Sequence, residues 1–181
     1  MKKLFVALLL TFGIFGARAQ DLLTQDIRAA FFEATLDLDK ATALFDKINM
    51  ISNPSPIMLA YRGVLEAILV KTKWSPFAKF ALLNKSRESF TKAVSENSND
   101  LEIRFLRFAV EHNTPDVLGY SQNLAADKDF IMENLDYFER DEGISDQMTN
   151  YIINFMMESK YYTPEEIDRI RTKMNPRMGG I

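Results

Sequence analysis

The sequence contains no cysteine and only one histidine, His112, in 181 residues. Without cysteine, disulfides, thiol catalysis and thiolate metal sites are excluded, and an oxidising exported compartment is favoured, where a free thiol is a liability. With one histidine, only carboxylates remain to complete a metal site. Stability must therefore come from core packing, which a chain of this length can supply.

Recognisable catalytic motifs are also missing. The sequence has no G-x-S-x-G nucleophile elbow, no H-E-x-x-H zinc motif and no glycine-rich phosphate loop. Carboxylate chemistry is the remaining option, and no pair of carboxylates at a telling spacing indicates a cleft. We therefore expect a noncatalytic protein that has no cofactor and no metal.

Glycine (7) and proline (6) are scarce, and strand-like alternation of apolar and polar residues is nearly absent, so the composition favours helix. Short links between helices predict antiparallel neighbours, hence an all-α array of seven or eight helices, either a compact bundle or a short solenoid. We expect one helical domain over 20–175 and a flexible tail over 176–181. The predicted helices are 21–36, 38–50, 55–72, 77–96, 100–112, 115–138 with a break near 126, 145–160 and 164–174.

Several of the breaks carry helix start signals. Proline is tolerated at the first helical position because its missing N–H would have no partner there. The segment Thr163–Glu166 also has the order of a capping box, with threonine as the N-cap and glutamate three residues later. The predicted starts are Ser55-Pro56, Ser75-Pro76, Thr114-Pro115, Ser145 and Thr163-Pro164.

The N-terminus has the pattern of a secretory signal peptide. Lys2 and Lys3 precede an apolar run over 4–16, which is short for a transmembrane span, and Ala17-Arg18-Ala19 matches an A-x-A cleavage site. We expect cleavage between Ala19 and Gln20 and a periplasmic or secreted chain with no transmembrane segment; a buried N-terminal helix is the alternative.

Net charge limits the partners of the exported chain. The formal net charge is −3, and removal of the signal peptide takes away three positive charges, which leaves −6. A mildly acidic chain has no electrostatic attraction to nucleic acid, so we do not expect nucleic-acid binding.

Two segments resemble tetratricopeptide-like helical repeats. "SFTKAVSENSNDLEIRF" is similar to a second helix, inter-repeat turn and following first helix, and "AYRGVLEAIL" places Tyr61 and Gly63 where that family has an aromatic and a small residue. The resemblance covers about 38–112, although the usual repeat period is not kept. It implies a short solenoid that binds a protein or peptide. The whole chain also resembles small signal-bearing helical proteins of Bacteroidota, a similarity that implies no activity.

The stretch "LEIRFLRFAVEHN" gives the first candidate site. At helical spacing, Arg104, Arg107 and Glu111 share one narrow arc, and apolar residues occupy most of the rest, which predicts a central helix with one charged edge. The two arginines would either grip a carboxylate of a partner or pair with acidic residues of neighbouring helices. His112 points away from this arc, and we expect it to interact with carbonyls at the helix C-terminus.

The second candidate is the region from Lys71 to Lys92, which is basic and rich in aromatic residues. Trp74 and Lys79 represent a patch that would meet anionic lipid head groups or polyanions. In the alternative, this is a solvated helical hairpin whose aromatics point inward.

The C-terminal part of the chain is the opposite pole in charge. Acidic residues are concentrated between Asp127 and Asp168, in an order that does not match a calcium loop. This charge layout would allow head-to-tail self-association. Within the same part, Met148, Ile152, Phe155 and Met156 share a helical face that we expect in the core; if exposed, it would be a binding face.

The sequence thus favours a noncatalytic exported helical-repeat module that mediates protein or peptide binding in the cell envelope. The alternative is a peripheral envelope protein that docks on anionic lipid or polysaccharide through the basic aromatic hairpin. The candidate partner-binding residues are Arg104, Arg107, Glu111, Trp74 and Lys79.

Overall fold

A computed structural model describes residues 21–136 and 146–178. Within these ranges the chain is helical with no strand, so the predicted all-α array is confirmed. The predicted signal peptide and its cleavage site, the Ser145 cap and residues 179–181 lie outside the described residues. The helices are α1 (21–36), α2 (Leu38–Asn49), α3 (Pro56–Leu69), α4 (Pro76–Glu96), α5 (Leu101–Asn113), α6 (Leu124–Glu133), α7 (Asp146–Glu158) and α8 (Pro164–Met178).

Two short 3-10 helices, Val70–Thr72 and Asp116–Leu118, complete the description. The helices fall into two compact units, one within Met1–Glu96 and one within Asn97–Ile181. That the two units act as a single domain stays a prediction. No described helix is long and apolar enough to span a membrane.

In the first unit, α1 and α2 run antiparallel. Lys40 lies 2.7 Å from Glu33 and Lys47 lies 4.0 Å from Asp26, so residues further along α2 face residues earlier in α1. These pairs are exposed and add little stability. The unit is held instead by a core of completely or almost completely buried apolar side chains: Ile27, Phe31, Ala41, Ile48, Met58, Tyr61 and Leu65.

Helices α3 and α4 form the closest pair in this unit. Gly63 allows it, because a Cβ atom at this position would lie 2.9 Å from Cε2 of the buried Phe90 ring. The Ser86 hydroxyl donates a hydrogen bond of 2.7 Å to the Gly63 carbonyl. The two helices therefore form a hairpin with a tightly packed base.

A buried carboxylate also links α3 to α4. Glu66 is 4% exposed and accepts a hydrogen bond of 2.7 Å from the Ser89 hydroxyl, which in turn accepts one from Arg62 Nε. Burial raises the pKa of Glu66, although Ser89 and Arg62 act in the opposite direction. Folding of the hairpin therefore disfavours the charged form of the Glu66 carboxyl.

In the second unit, α5 begins at Asp100, whose side chain accepts a hydrogen bond of 3.0 Å from the Ile103 N–H. Nine of the thirteen residues of α5 are buried, as expected for a central helix. Phe105 packs edge-on against Phe155 of α7, with ring centroids 5.4 Å apart. Met148, Ile152 and Met156 are completely buried, so the prediction that this face of α7 lies in the core is confirmed.

The predicted capping box at the start of α8 is confirmed. The Thr163 N–H donates to Glu166 at 2.8 Å, and the Glu166 N–H donates to the Thr163 hydroxyl at 3.2 Å. Lys128 of α6 adds an ion pair of 2.8 Å to Glu166. Although burial acts to raise it, these hydrogen bonds keep the pKa of Glu166 below its ordinary value.

The predicted helix over 115–138, with its break near 126, is wrong in two respects within the described residues: most of 115–123 is not helical, and the chain is helical across 126. Over 115–136 the chain makes the 3-10 helix Asp116–Leu118, turns at Gly119, and resumes as the shorter helix α6. The break comes at Gly119 because this residue has a φ of 60°, a left-handed conformation that ends a helix and that glycine adopts without strain. At the other end of the unit, α8 continues to Met178, into the segment predicted as a tail.

Candidate functional site

The charged edge of α5 meets α6. Asp127, completely buried in the first turn of α6, accepts hydrogen bonds from Arg107 Nε at 2.6 Å and Arg107 Nη2 at 2.7 Å. Arg104 Nη1 reaches the same carboxylate at 2.8 Å. We call this group of Arg104, Arg107 and Asp127 the arginine–aspartate cluster.

The other bonds of Arg104 are internal too. Its Nε donates to the Ser98 carbonyl at 3.0 Å, and its guanidinium lies 4.8 Å from the centroid of the Phe130 ring. Its side chain is 18% exposed. The alternative of internal ion pairing therefore describes both arginines, and a partner carboxylate would have to compete with Asp127 for them.

Glu111 continues the same edge and binds the start of α6. Its carboxylate accepts a hydrogen bond of 2.8 Å from the Asn123 N–H and one of 2.7 Å from Asn123 Nδ2. Asn123 is the N-cap residue of α6, so Glu111 satisfies a backbone donor and places negative charge at the positive end of the helix dipole. The charged edge of α5, formed by Arg104, Arg107 and Glu111, therefore binds the start of α6.

His112 contacts a serine, not the helix-end carbonyls that the sequence predicts. Its Nε2 lies 2.9 Å from the Ser159 hydroxyl, and its ring packs against Phe108, Phe155 and Tyr161. A serine–histidine pair needs a third group to orient the histidine before it can act as a nucleophile and base. His112 Nδ1 is buried without a hydrogen-bond partner in the described residues, so they do not supply that third group.

Ser159 is buried and has a second hydrogen-bond partner. It is 7% exposed, and its hydroxyl oxygen accepts a hydrogen bond of 3.2 Å from the Tyr161 N–H. The pair therefore fits the packing of α5 against the link between α7 and α8 better than it fits an open reaction site.

The side chains at the turn between α3 and α4 are exposed, unlike the internally paired side chains of α5. Trp74 is 99% exposed, Phe77 89% and Phe80 48%, so the alternative in which these aromatics point inward is wrong. Three exposed lysines surround them, and among the described residues none of the three has an ion-pair partner. We call this surface the hairpin tip; it consists of Lys71, Lys73, Trp74, Phe77, Lys79 and Phe80.

The hairpin tip also holds a shallow depression. Its lining is formed by the first turns of α4, with side chains that are apolar except for Asn84. The lining residues are Pro76, Phe77, Phe80, Ala81 and Asn84. An exposed apolar concavity beside positive charge is typical of a binding surface and not of a solvated helix end.

The helix lengths explain why the hairpin tip is exposed. The Phe31 ring packs edge-on against the Tyr61 ring, with centroids 4.8 Å apart. The short link between α2 and α3 favours an antiparallel pair, in which case α1 and α3 run in the same direction. From that level α1 extends about 8 Å to residue 36, whereas α3 extends about 12 Å to Leu69, and Val70–Thr72 adds about 6 Å. For parallel axes of α1 and α3, helix rise alone places the hairpin tip about 10 Å past the end of α1.

Some of the acidic residues between Asp127 and Asp168 form ion pairs within the chain. Asp127 and Glu166 have the internal partners described above, and Asp136 contacts Lys173 at 2.5 Å. Glu139, Asp141 and Glu142 lie outside the described residues. No group of three or more potential metal ligands occurs within the described part of the chain, and self-association through this pole stays a prediction.

A comparison with protein families finds no family model that matches this chain, and no significant match is found among curated proteins or solved structures. The resemblance to tetratricopeptide repeats therefore stays a prediction.

Proposed function

We propose that this protein is a noncatalytic helical module, exported to the periplasm or beyond, that docks on an anionic surface of the cell envelope. Docking takes place through the hairpin tip, and the surface is lipid or polysaccharide. One observation supports the proposal above the others. Trp74 and Phe77 are almost completely exposed at a projecting turn that is surrounded by lysines.

Two physical effects favour docking of this tip: burial of aromatic surface and electrostatic attraction. Exposed aromatic surface is unfavourable in water. Burying it against a partner therefore contributes favourably to the free energy of binding. The lysines next to them are attracted to an anionic surface, and no Asp or Glu lies near them in sequence, since none occurs between Glu66 and Glu88. The tip thus combines apolar adhesion with attraction to negative charge, although the chain as a whole is acidic.

The test is retention by an anionic surface at low salt. The chain should float with vesicles that contain phosphatidylglycerol, or sediment with an anionic polysaccharide, and replacement of Lys73 and Lys79 by glutamate should abolish retention. The matched control is the same replacement at Lys160, an exposed lysine of the second unit. Equal retention of the tip and control variants would contradict docking through the tip.

Binding of a protein or peptide remains the second candidate, and the apolar depression is the observation that favours it. A depression lined by Phe77 and Phe80 suits the apolar side chain of a partner. A photoreactive amino acid at position 77, activated in the intact envelope, separates the two candidates. A discrete protein adduct supports this second function, whereas adducts with lipid alone contradict it.

A further inference from the structure

We propose that the hairpin tip inserts into the interface of a bilayer that contains anionic phospholipid, with Trp74 and Phe77 below the phosphate groups. The inference depends on the proposed docking function and names its surface. The surface is lipid, and the experiment below distinguishes lipid from polysaccharide. Its support comes from the kinds of side chain at the tip, their order along it, and the distance by which it projects.

The side chains match the layers of a membrane interface. Tryptophan is enriched at the level of the head groups, because its ring is apolar and its N–H still finds a polar partner there. Lysines extend their ammonium groups toward phosphates while their methylene chains stay among apolar atoms. Trp74 and Phe77 lie between Lys73 and Lys79 in the sequence, so the positive charges border the aromatics on both sides.

The lining of the depression favours lipid over polysaccharide. A sugar chain presents many hydroxyl groups, and each loses water unless the protein offers it a hydrogen bond. Asn84 is the one uncharged polar side chain that lines the depression; the rest of the lining is apolar. Acyl chains need no such bonds, so this surface suits them better.

The distance by which the hairpin projects sets the depth of insertion. Interfacial segments bury their apolar face about 5–10 Å into the boundary between head groups and acyl chains. The hairpin projects about 10 Å past α1, so the whole tip fits this layer. Asp37 and Asp39, both exposed at the corner between α1 and α2, then approach the anionic head groups and oppose deeper entry.

The corner also shows why the contact is limited to the tip. The Asp37 carboxylate is held in place because it accepts hydrogen bonds from the Asp39 and Lys40 N–H groups at the start of α2. Its negative charge is therefore a fixed feature of this end of the unit. Charge attracts the membrane at the tip and repels it at the corner, which defines one orientation.

Trp74 makes the test direct, because it is the only tryptophan in the chain and its emission reports the tip alone. The chain is purified from expressing cells, its processed N-terminus is established by mass spectrometry, and it is titrated with vesicles of equal parts phosphatidylglycerol and phosphatidylcholine. We expect a blue shift of the emission that saturates with lipid. Emission that stays unshifted at saturating lipid overturns the inference.

Variants separate the contributions of charge and of the aromatics. Each lysine near an anionic surface contributes about fivefold to partitioning at moderate salt, so glutamine at Lys71, Lys73 and Lys79 together should weaken it about a hundredfold. Phe77→Ser should reduce both the affinity and the blue shift. The matched control is Met50→Ser, an exposed apolar residue at the opposite end of the first unit, which should change neither.

The remaining outcomes distinguish this inference from the proposed function. Retention by a soluble anionic polysaccharide, without a shift on vesicles, leaves docking in place and overturns insertion into lipid. No retention by either surface overturns both. Equal partitioning into pure phosphatidylcholine overturns the role of the lysines and with it the choice of an anionic bilayer. Circular dichroism of each variant shows that the helices are retained.

Discussion

The arginine–aspartate cluster and the hairpin tip both place cationic side chains among aromatic and apolar residues, yet the protein uses them in opposite ways. In the cluster, a buried carboxylate takes up the arginine donors inside the second unit. At the tip, no acidic side chain is near in sequence and the aromatics face solvent. The comparison shows that a basic, apolar segment does not reveal its use by composition: the arginines are internal because a buried carboxylate binds them, and the lysines, with no acidic residue near in sequence, are exposed.

The largest effect is expected at the cluster. Asp127→Ala leaves Arg104 and Arg107 without their carboxylate, and loss of one member of a buried ion pair costs about 3–5 kcal/mol. Urea denaturation would measure this loss in the free energy of unfolding. Asp129→Ala, an exposed site in the same helix, is the matched control. Similar small losses for both variants would mean that the cluster is not a structural element.

A smaller effect is expected at the base of the hairpin. In Gly63→Ala the new methyl group meets the Phe90 ring, and the cost of overpacking, less the gain in helix propensity, gives a net loss of about 1–2 kcal/mol. Thermal or urea unfolding measures it. Adding Phe90→Leu should make the alanine much better tolerated than it is beside phenylalanine. An alanine that is equally well tolerated in both backgrounds would show that the two helices are not closely packed here.

The third prediction concerns pH and Glu66. Burial raises the pKa of this carboxyl above the ordinary 4.5, so the folded state holds the proton more tightly than the unfolded state. As pH rises from below 4.5 through the folded pKa, this group makes the protein progressively less stable, and the loss is complete above the folded pKa. Glu66→Gln cannot ionise and keeps an acceptor for Ser89.

The measured quantity is the difference in unfolding free energy between Glu66→Gln and the parent chain, followed with pH. We expect it to change in favour of the variant as pH rises. Comparing the two chains cancels the contributions of other carboxylates, which have the same pH dependence in both. A difference that changes in favour of the parent chain would mean that Arg62 and Ser89 outweigh burial.

The smallest effect on stability is expected at the hairpin tip. Trp74→Ser and Phe77→Ser should each change the free energy of unfolding by no more than about 0.5 kcal/mol, because both side chains are already in water. Their effect should appear in vesicle binding instead. A large loss of stability in either variant would show that the aromatics have an internal partner and would remove the contrast with the cluster.

The fold class and most helix positions follow from local signals. Proline at the first helical position and the Thr163–Glu166 capping box depend on neighbouring residues alone, and the structure has both. The failure between 115 and 138 has a local cause as well. The predicted helix includes Gly119, although glycine is the residue best suited to a left-handed turn.

The partner of the α5 arginines was missed because it is not local, although a signal for it exists. Asp127 lies at helical spacing between Leu124 and Ile131, so a carboxylate occupies an apolar stripe and must find a buried cation. Glu102, in the apolar arc of α5, is a second carboxylate in such a position and is also buried. The exposure of Trp74 depends on the relative lengths of α1 and α3, which single-helix patterns do not contain.

The most direct test of the account is quenching of Trp74 fluorescence by brominated phospholipids in anionic vesicles. The account predicts strong quenching by lipids brominated near the head-group end of the acyl chain, weaker quenching by lipids brominated near its terminus, and full retention of this pattern in the control variant Met50→Ser. Absence of quenching at any bromine position, with the chain bound to the vesicles, would contradict it.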